Sequence, residues 1–197
     1  MTCNVMLTGV GGEGVLMTSV IVARAANLDG YEVRGTQFHG LAQRGGSIPT
    51  QIRFGMKVYS PMIPRAKADL ILGLEPIEAA RSCFYASKER TNFVVDTYPV
   101  KPVYLNLLGH TYPSYEKIKK MIAPFAKKSV FVDASNICEK RFGNPIFGNV
   151  MSIGVAFSMG ALPLSKSSVL ESIRTSVPKR AIKENLEAFD MGLKFKA

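Results

Sequence analysis

The chain has 197 residues, 47% of them hydrophobic, which suits one domain with a full buried core. Its formal net charge is +10, which indicates either a solvated basic surface or an acidic partner or anionic ligand. No apolar run is long enough to cross a bilayer, and no secretory signal is visible, so we expect a cytoplasmic protein. Cys3, Cys83 and Cys138 are widely spaced and form no C-x-x-C pair, which argues against zinc, iron–sulfur clusters and disulfides.

The first predicted elements are a strand, a glycine turn and a helix. An apolar run at Val5, Met6 and Leu7 leads into the turn GVGGEG at 9–14, and apolar residues then recur at helical spacing from 15 to 26. This order places backbone N–H groups at a helix N-terminus, where an anion is stabilised.

The turn matches the spacing of a dinucleotide-binding site, but two features oppose that function. Gly9, Gly11 and Gly14 satisfy G-x-G-x-x-G. The predicted second strand, 32–38, has no acidic residue at its tip to bind a ribose, and an ionised Glu13 would repel a pyrophosphate. Two other interpretations stay open: glycines needed only for a tight turn and close packing, or a turn that receives another anion or a partner chain.

A second polar, glycine-rich stretch, HGLAQRGGS, occupies residues 39–47 between two predicted strands. It offers side-chain donors on His39, Gln43 and Arg44, and its glycines expose backbone N–H groups. We expect it at the sheet edge that carries the glycine turn, where it can hold an anion or a partner's carboxylate. The alternative is a surface loop whose arginine caps a helix or pairs with a local carboxylate.

The remainder of the chain alternates between apolar strands and helices. Residues 48–54 predict a strand and 57–60 a short partner, which together form a hairpin insertion around residues 47–60. Residues 103–107 predict an edge strand, because the prolines at 99 and 102 exclude a central one. Further strands are predicted at 68–74, 93–96 and 130–133, and helices at 76–85, 115–126, 134–140 and 147–162, with two more that begin at Ser165 and Pro178.

This alternation predicts the fold class: a Rossmann-like three-layer α/β fold, with a mainly parallel sheet and helices on both faces. No linker or repeat interrupts residues 1–197, so we expect a single domain. No serine or cysteine nucleophile lies near a base, and His39 and His110 are far apart, so we assign neither a catalytic residue nor a metal site. Basic residues are not interleaved with aromatics as in nucleic-acid-binding segments.

The motifs resemble those of the gamma-type subunits, or gamma domains, of the 2-oxoacid:ferredoxin oxidoreductases, and most of all the beta subunits of the indolepyruvate type. The resemblance covers nearly the whole chain. The segments that carry it are GVGGEG at 9–14, HGLAQRGGS at 39–47, IRFG at 52–55, ADLILGLEPIEAAR at 68–81, GNVMSIGVA at 148–156 and NLEAFDMG at 185–192. In place of Glu13 the family usually has glutamine.

The resemblance implies a subunit of an enzyme that decarboxylates a 2-oxoacid on thiamine diphosphate. Such an enzyme passes electrons through iron–sulfur clusters to ferredoxin and transfers the acyl group to coenzyme A. This chain has neither the cluster cysteines nor the thiamine diphosphate signature, so the resemblance implies an accessory subunit that is inactive alone, with the cofactors on a larger partner. The alternatives are a free-standing NAD- or flavin-binding reductase, or a binding module for an acidic partner.

The resemblance also implies that two segments of this subunit lie near the thiamine and coenzyme A sites of the complex. The expected contact residues are Gly9, Gly11, Gly12, Gly14, His39, Gln43, Arg44, Gly45, Gly46 and Ser47.

Overall fold

Six strands form one sheet in the computed structural model, which describes residues 2–38, 40, 45–101, 109 and 111–196. They are β1 (Thr2–Val10), β2 (Glu32–Gln37), β3 (Ser47–Gly55), β4 (Leu70–Gly73), β5 (Asn92–Asp96) and β6 (Lys128–Val132). The order across the sheet is β2-β3-β1-β4-β5-β6. β3 runs antiparallel to both β1 and β2, and the other neighbours pair in parallel. The predicted mainly parallel α/β sheet is therefore confirmed.

Helices pack on both faces of this sheet, as the alternating pattern predicted. Those in the described ranges are α1 (Val15–Leu28), α2 (Pro76–Arg81), α3 (Tyr115–Ile122), α4 (Ala134–Phe142), α5 (Gly148–Ser158), α6 (Lys166–Ser176) and α7 (Ile182–Leu193). The predicted starts of two helices are confirmed by N-caps, since the side chain of Ser114 accepts from Lys117 N–H and that of Ser165 from Ser168 N–H. The helix predicted to reach residue 162 ends at Ser158.

The apolar residues of β1 divide between two buried clusters, because successive side chains of a strand point to opposite faces. Val5 and Leu7 belong to the cluster that includes residues of α1, α4, α5, α6 and α7. Met6 belongs to the cluster that includes residues of α2 and α3, such as Ile118 and Ile122. The sheet is therefore the middle layer of three.

The predicted hairpin insertion is correct in its first strand and wrong in its second. β3 includes the predicted residues 48–54, but residues 57–60 form no strand. The physical reason is that both edges of β3 are already paired, one with β1 and the other with β2. The chain that follows Gly55 therefore finds no free edge of β3 to pair with. It packs on the sheet as an irregular segment instead. The strand predicted at 103–107 lies outside the described residues.

Helices α5 and α7 cross in backbone contact at Gly154 and Gly192. A Cβ atom at Gly154 would overlap the carbonyl oxygen of Phe189, and one at Gly192 would overlap that of Met151. The segments 148–156 and 185–192, which carried part of the family resemblance, therefore have a packing function. Within the described ranges, no helix combines the length and apolar character needed to span a membrane.

Candidate functional site

The glycine turn and the second motif meet at the carboxyl end of β1. Val10, the last residue of β1, is paired with Ser47, the first residue of β3. The backbone N–H of Gly11 donates to the carbonyl of Gly46 at 2.8 Å, and the N–H of Gly45 donates to the carbonyl of Gly11 at 3.0 Å. The prediction that both motifs lie at one edge of the sheet is confirmed for residues 45–47, the part of the second motif that these contacts place.

Glycines of the turn meet local structural requirements. Gly12 and Gly14 have φ values of 100° and 78°, in the left-handed region that favours glycine. A Cβ atom at Gly9 would lie 2.9 Å from Cγ2 of Val15, so glycine here lets α1 pack closely on β1. These observations support the structural interpretation of the turn, and ligand binding there stays a prediction.

Glu13 folds back beneath the turn instead of extending from it. Its Oε2 accepts a hydrogen bond from the backbone N–H of Val10 at 2.9 Å, and its carbonyl accepts one from the Asn149 side-chain amide. Burial, helped by the nearby charges of Glu75, Asp96 and Glu78, raises the pKa of Glu13 to about 8, although the hydrogen bond from Val10 lowers it. Since the group is then mostly neutral at pH 7, the repulsion of an anion expected from an ionised Glu13 is weaker than the sequence suggested.

The charges around Glu13 come from carboxylates that sequence analysis did not single out. Glu75 and Glu78 are 2% and 4% exposed. Glu75 accepts from the Glu78 N–H at 2.9 Å and from the Tyr112 hydroxyl, and burial raises its pKa. Glu78 accepts from the hydroxyl of Ser47 and from Nη1 of Arg81, so it joins the second motif to α2. The sequence signal was present in the pair Glu75–Pro76, which predicted only the start of a helix.

Asp96 is fully buried at the carboxyl end of β5. It accepts hydrogen bonds from the N–H and hydroxyl of Ser135 at 3.0 and 2.6 Å, and from the N–H of Tyr98 at 3.2 Å. Burial raises its pKa to about 6. Its sequence signal was an aspartate that ended an apolar strand, a position where parallel sheets often carry functional groups.

A cavity of about 210 Å³ lies beside the turn, lined in part by Gly12, Glu13, Tyr98, Ser135 and Asn149. It is at the carboxyl edge of the parallel strands, where open α/β sheets bind ligands. Its lining offers hydroxyl, amide and carboxyl groups, which suit a small polar group or a side chain from another subunit.

A larger cavity, of about 750 Å³, lies at the opposite edge of the sheet around Cys3, Asp69 and Arg90. There Nε of Arg90 and Oδ1 of Asp69 form an ion pair at 2.6 Å. We place the candidate site at the smaller cavity, because the glycine turn lines it through Gly12 and Glu13 and is not among the residues that line the larger one.

The disfavoured dinucleotide-binding interpretation of the turn still lacks the acidic residue that it requires. Glu32 begins β2 opposite Gly55, at the end of the sheet far from the glycine turn, and its carboxylate accepts from the N–H of Val58 at 3.0 Å. Among the residues that the structure describes, no group of three or more His, Cys, Asp or Glu is arranged to hold a metal ion. His39, Gln43 and Arg44 lie outside the described residues, so their role stays a prediction.

Comparisons with known proteins agree with this architecture. Residues 4–195 match the family model described as pyruvate ferredoxin/flavodoxin oxidoreductase. Over 192 residues the chain is 41% identical to indolepyruvate oxidoreductase subunit IorB of Pyrococcus horikoshii, which covers 97% of this chain and 94% of that protein.

Solved structures share the fold at lower identity. The gamma subunit of a keto/oxoacid ferredoxin oxidoreductase from Geobacter sulfurreducens aligns with a TM-score of 0.68 and 21% identity, over 98% of this chain and 96% of that one. The 2-oxoglutarate:ferredoxin oxidoreductase from Magnetococcus marinus, solved with 2-oxoglutarate, coenzyme A and succinyl-CoA bound, aligns with a TM-score of 0.70 and 18% identity. That alignment covers 98% of this chain and 30% of the other, so the same fold there is part of a longer chain.

Proposed function

Because the chain belongs to the pyruvate ferredoxin/flavodoxin oxidoreductase family, we propose that it is the accessory subunit of an enzyme that oxidatively decarboxylates an indolepyruvate- or arylpyruvate-type 2-oxoacid to an acyl-coenzyme A. The observation that carries this proposal is the 41% identity to an indolepyruvate oxidoreductase subunit over nearly the full length of both proteins. The family match supports neither a free-standing NAD- or flavin-dependent reductase nor a solitary binding module.

The cofactors of the reaction are proposed to lie on a larger subunit, which binds thiamine diphosphate and iron–sulfur clusters and delivers electrons to ferredoxin. The cysteines of this chain do not suit a cluster, because Cys3, Cys83 and Cys138 are fewer than the usual four ligands and are widely spaced. Cys83 and Cys138 are buried free cysteines, and burial raises the pKa of their thiols to about 11 and about 12. Reduced thiols also fit the proposed location in the cytoplasm.

The site residues are proposed to complete the partner's coenzyme A and thiamine sites without taking part in proton transfer. The turn and the second motif form one continuous surface, since Gly11 is hydrogen-bonded to Gly45 and Gly46. Gly14 is the N-cap of α1, and among the described residues no side chain caps the helix there, which supports an anion or a partner at its first N–H groups. The residues proposed for this surface are Gly9, Gly11, Gly12, Gly14, His39, Gln43, Arg44, Gly45, Gly46 and Ser47.

Reconstitution with the purified larger subunit tests the proposal. We expect the mixture to reduce ferredoxin or a dye in a reaction that requires both an arylpyruvate and coenzyme A, with each subunit inactive alone. Arg44→Lys retains the charge but loses the planar fork of donors. We expect it to lower the rate or the subunit affinity about ten- to a hundredfold, which corresponds to a lost charged hydrogen bond of roughly 1.5–3 kcal/mol.

Titration of the chain alone with NADH and with FAD is the control for the reductase alternative. Micromolar binding of either, together with no activity in the reconstituted mixture, would overturn the subunit proposal. A rate and an affinity of Arg44→Lys within twofold of wild type would show that Arg44 only stiffens its loop.

A further inference from the structure

Glu78 is a buried carboxylate in the first turn of α2, and each polar group of its backbone has a partner. Its N–H donates to Oε2 of Glu75 at 2.9 Å. Its carbonyl accepts from the hydroxyls of Ser82 and Thr8, at 2.9 and 3.3 Å. These contacts hold the backbone of Glu78 between α2 and β1, so its side chain extends from a fixed position.

The side chain of Glu78 joins two elements. Oε1 accepts from Nη1 of Arg81 at 2.8 Å, within α2. Oε2 accepts from the hydroxyl of Ser47, the first residue of β3. Ser47 is an exposed residue, yet its hydroxyl donates to a buried carboxylate. Because a hydrogen bond to a charged group is stronger than one between neutral groups, this contact fixes the side chain of Ser47 against α2.

Ser47 is also the last residue of the second motif, which the glycine turn holds from another direction. Backbone hydrogen bonds join Gly11 to Gly45 and Gly46. Those bonds lie along the edge where β1 and β3 meet, whereas the bond from Ser47 to Glu78 leaves the sheet for the layer of helices, because strand side chains point away from the sheet. The end of the motif is therefore held both within the sheet and against α2.

We propose that Glu78 is a positioning residue, which through Ser47 holds the second motif in the orientation that receives coenzyme A. The inference rests on the proposed function, because it requires the motif to contribute to the coenzyme A site. The donors and glycine N–H groups of the motif suit the phosphates of that substrate. Glu78 is buried and carries a carboxylate, so it acts on an anionic substrate only through the groups that it holds.

The test compares the wild type with Glu78→Gln, Ser47→Ala and the double variant, each reconstituted with an excess of the larger subunit. Glutamine keeps the size of Glu78 but is neutral, so its bond to Ser47 is weaker. We expect Glu78→Gln to raise the KM for coenzyme A about fivefold, as weakening of one charged hydrogen bond does, and to leave kcat and the KM for the 2-oxoacid within about twofold of wild type.

The double variant shows whether Glu78 acts through Ser47. If it does, Glu78→Gln should change the KM for coenzyme A by less than about 1.5-fold in the Ser47→Ala background, because the contact is already absent. An effect as large in that background as in the wild type would overturn the proposal, since Glu78 would then act by another route.

Amide hydrogen exchange of the full chain without its partner gives a second measurement. In Glu78→Gln and in Ser47→Ala we expect protection of the Gly11 and Gly45 amides to fall about threefold or more, because the end of the motif loses its hold on α2. Unchanged protection in Ser47→Ala would overturn the proposal even if Glu78→Gln did not fold.

Ser168→Ala is the matched control, because its hydroxyl also donates to a carboxylate, Oδ1 of Asp29, at 2.6 Å. Asp29 is the C-cap of α1, about 20 Å along the helix from Gly14. We expect this variant to leave both KM values within about twofold of wild type. A rise in the KM for coenzyme A equal to that of Glu78→Gln would overturn the proposal, since loss of any such bond would then have the same effect.

Failure of the proposed function gives a different result. A wild-type complex without coenzyme A-dependent activity would overturn the subunit proposal, and this inference with it. An active wild-type complex whose Glu78→Gln variant has the wild-type KM for coenzyme A would overturn only the positioning role of Glu78.

Discussion

Glu13 is an acidic residue that the fold keeps mostly in its neutral, protonated form. Its carboxyl group is largely buried and is close to three buried carboxylates. Together these outweigh the hydrogen bond from the N–H of Val10, so the charged form is disfavoured. A protonated glutamate has the shape and neutrality of glutamine, the residue that the sequence resemblance leads us to expect here. The departure from the family pattern is therefore smaller at neutral pH than the sequence indicates.

Glu13→Gln should stabilise the protein more at high pH than at low pH. The pKa of Glu13 rises from 4.5 to about 8 on folding, so the unfolded chain loses this proton first. The contribution of this group to stability is complete below about pH 4.5 and falls as pH rises through 8. We expect urea unfolding at pH 8.5 to show a gain of about 2–4 kcal/mol for the variant, and at pH 5 a much smaller gain.

Glu116→Gln, on the exposed face of α3, is the control and should change the free energy of unfolding by less than about 0.5 kcal/mol at both pH values. If Glu13→Gln differs from wild type by the same amount at pH 5 and pH 8.5, Glu13 is ionised like an exposed glutamate and burial does not hold its proton.

At the scale of elements, the α5–α7 contact depends on two residues without side chains. A Cβ atom added at Gly154 would lie only 3.0 Å from the Cα of Gly192. The two helices therefore meet backbone to backbone. α5 is almost entirely buried, and it also contacts α4, β4 and β5. The contact therefore fixes how the C-terminal helices cover the face of the sheet behind the candidate site.

Gly192→Ala should destabilise the protein by about 2–4 kcal/mol, because its Cβ atom would overlap backbone atoms of α5 that cannot move independently. The measurement is the free energy of unfolding in urea. Gly35→Ala in β2 is the matched control. The nearest atom to its Cβ is the Gln51 carbonyl oxygen at 3.6 Å, an ordinary contact, so we expect a change within about 1 kcal/mol. A Gly192→Ala variant as stable as wild type would mean that α5 and α7 can move apart without any loss in the free energy of unfolding.

At the scale of the molecule, a charge of +10 on a subunit of a hetero-oligomer favours long-range attraction to an acidic partner. Salt screens such attraction, with a Debye length of about 10 Å at 0.1 M and about 3 Å at 1 M. We expect the association rate with the larger subunit to fall about tenfold or more between 50 and 500 mM NaCl, while the dissociation rate changes less. An association rate that does not depend on salt would show that this charge does not direct assembly.

Local patterns in the sequence determined most of the elements. The buried strands, the helices after Ser114 and Ser165, and the glycine turn all follow from signals within a few residues, since periodicity, caps and positive φ values are local properties. The proximity of the two motifs at one sheet edge was also predictable, because the strands that carry them were recognised.

The tertiary structure alone decided the features that join distant residues. β3 pairs on both edges, so the predicted partner strand at 57–60 has no place to bind and the segment exposes Tyr59 instead. The carboxylates around Glu13 come from the N-cap and first turn of α2 and from β5, more than 60 residues away along the chain. No local pattern records which strand edges are occupied or which carboxylates are buried together, because both depend on how the whole sheet is assembled.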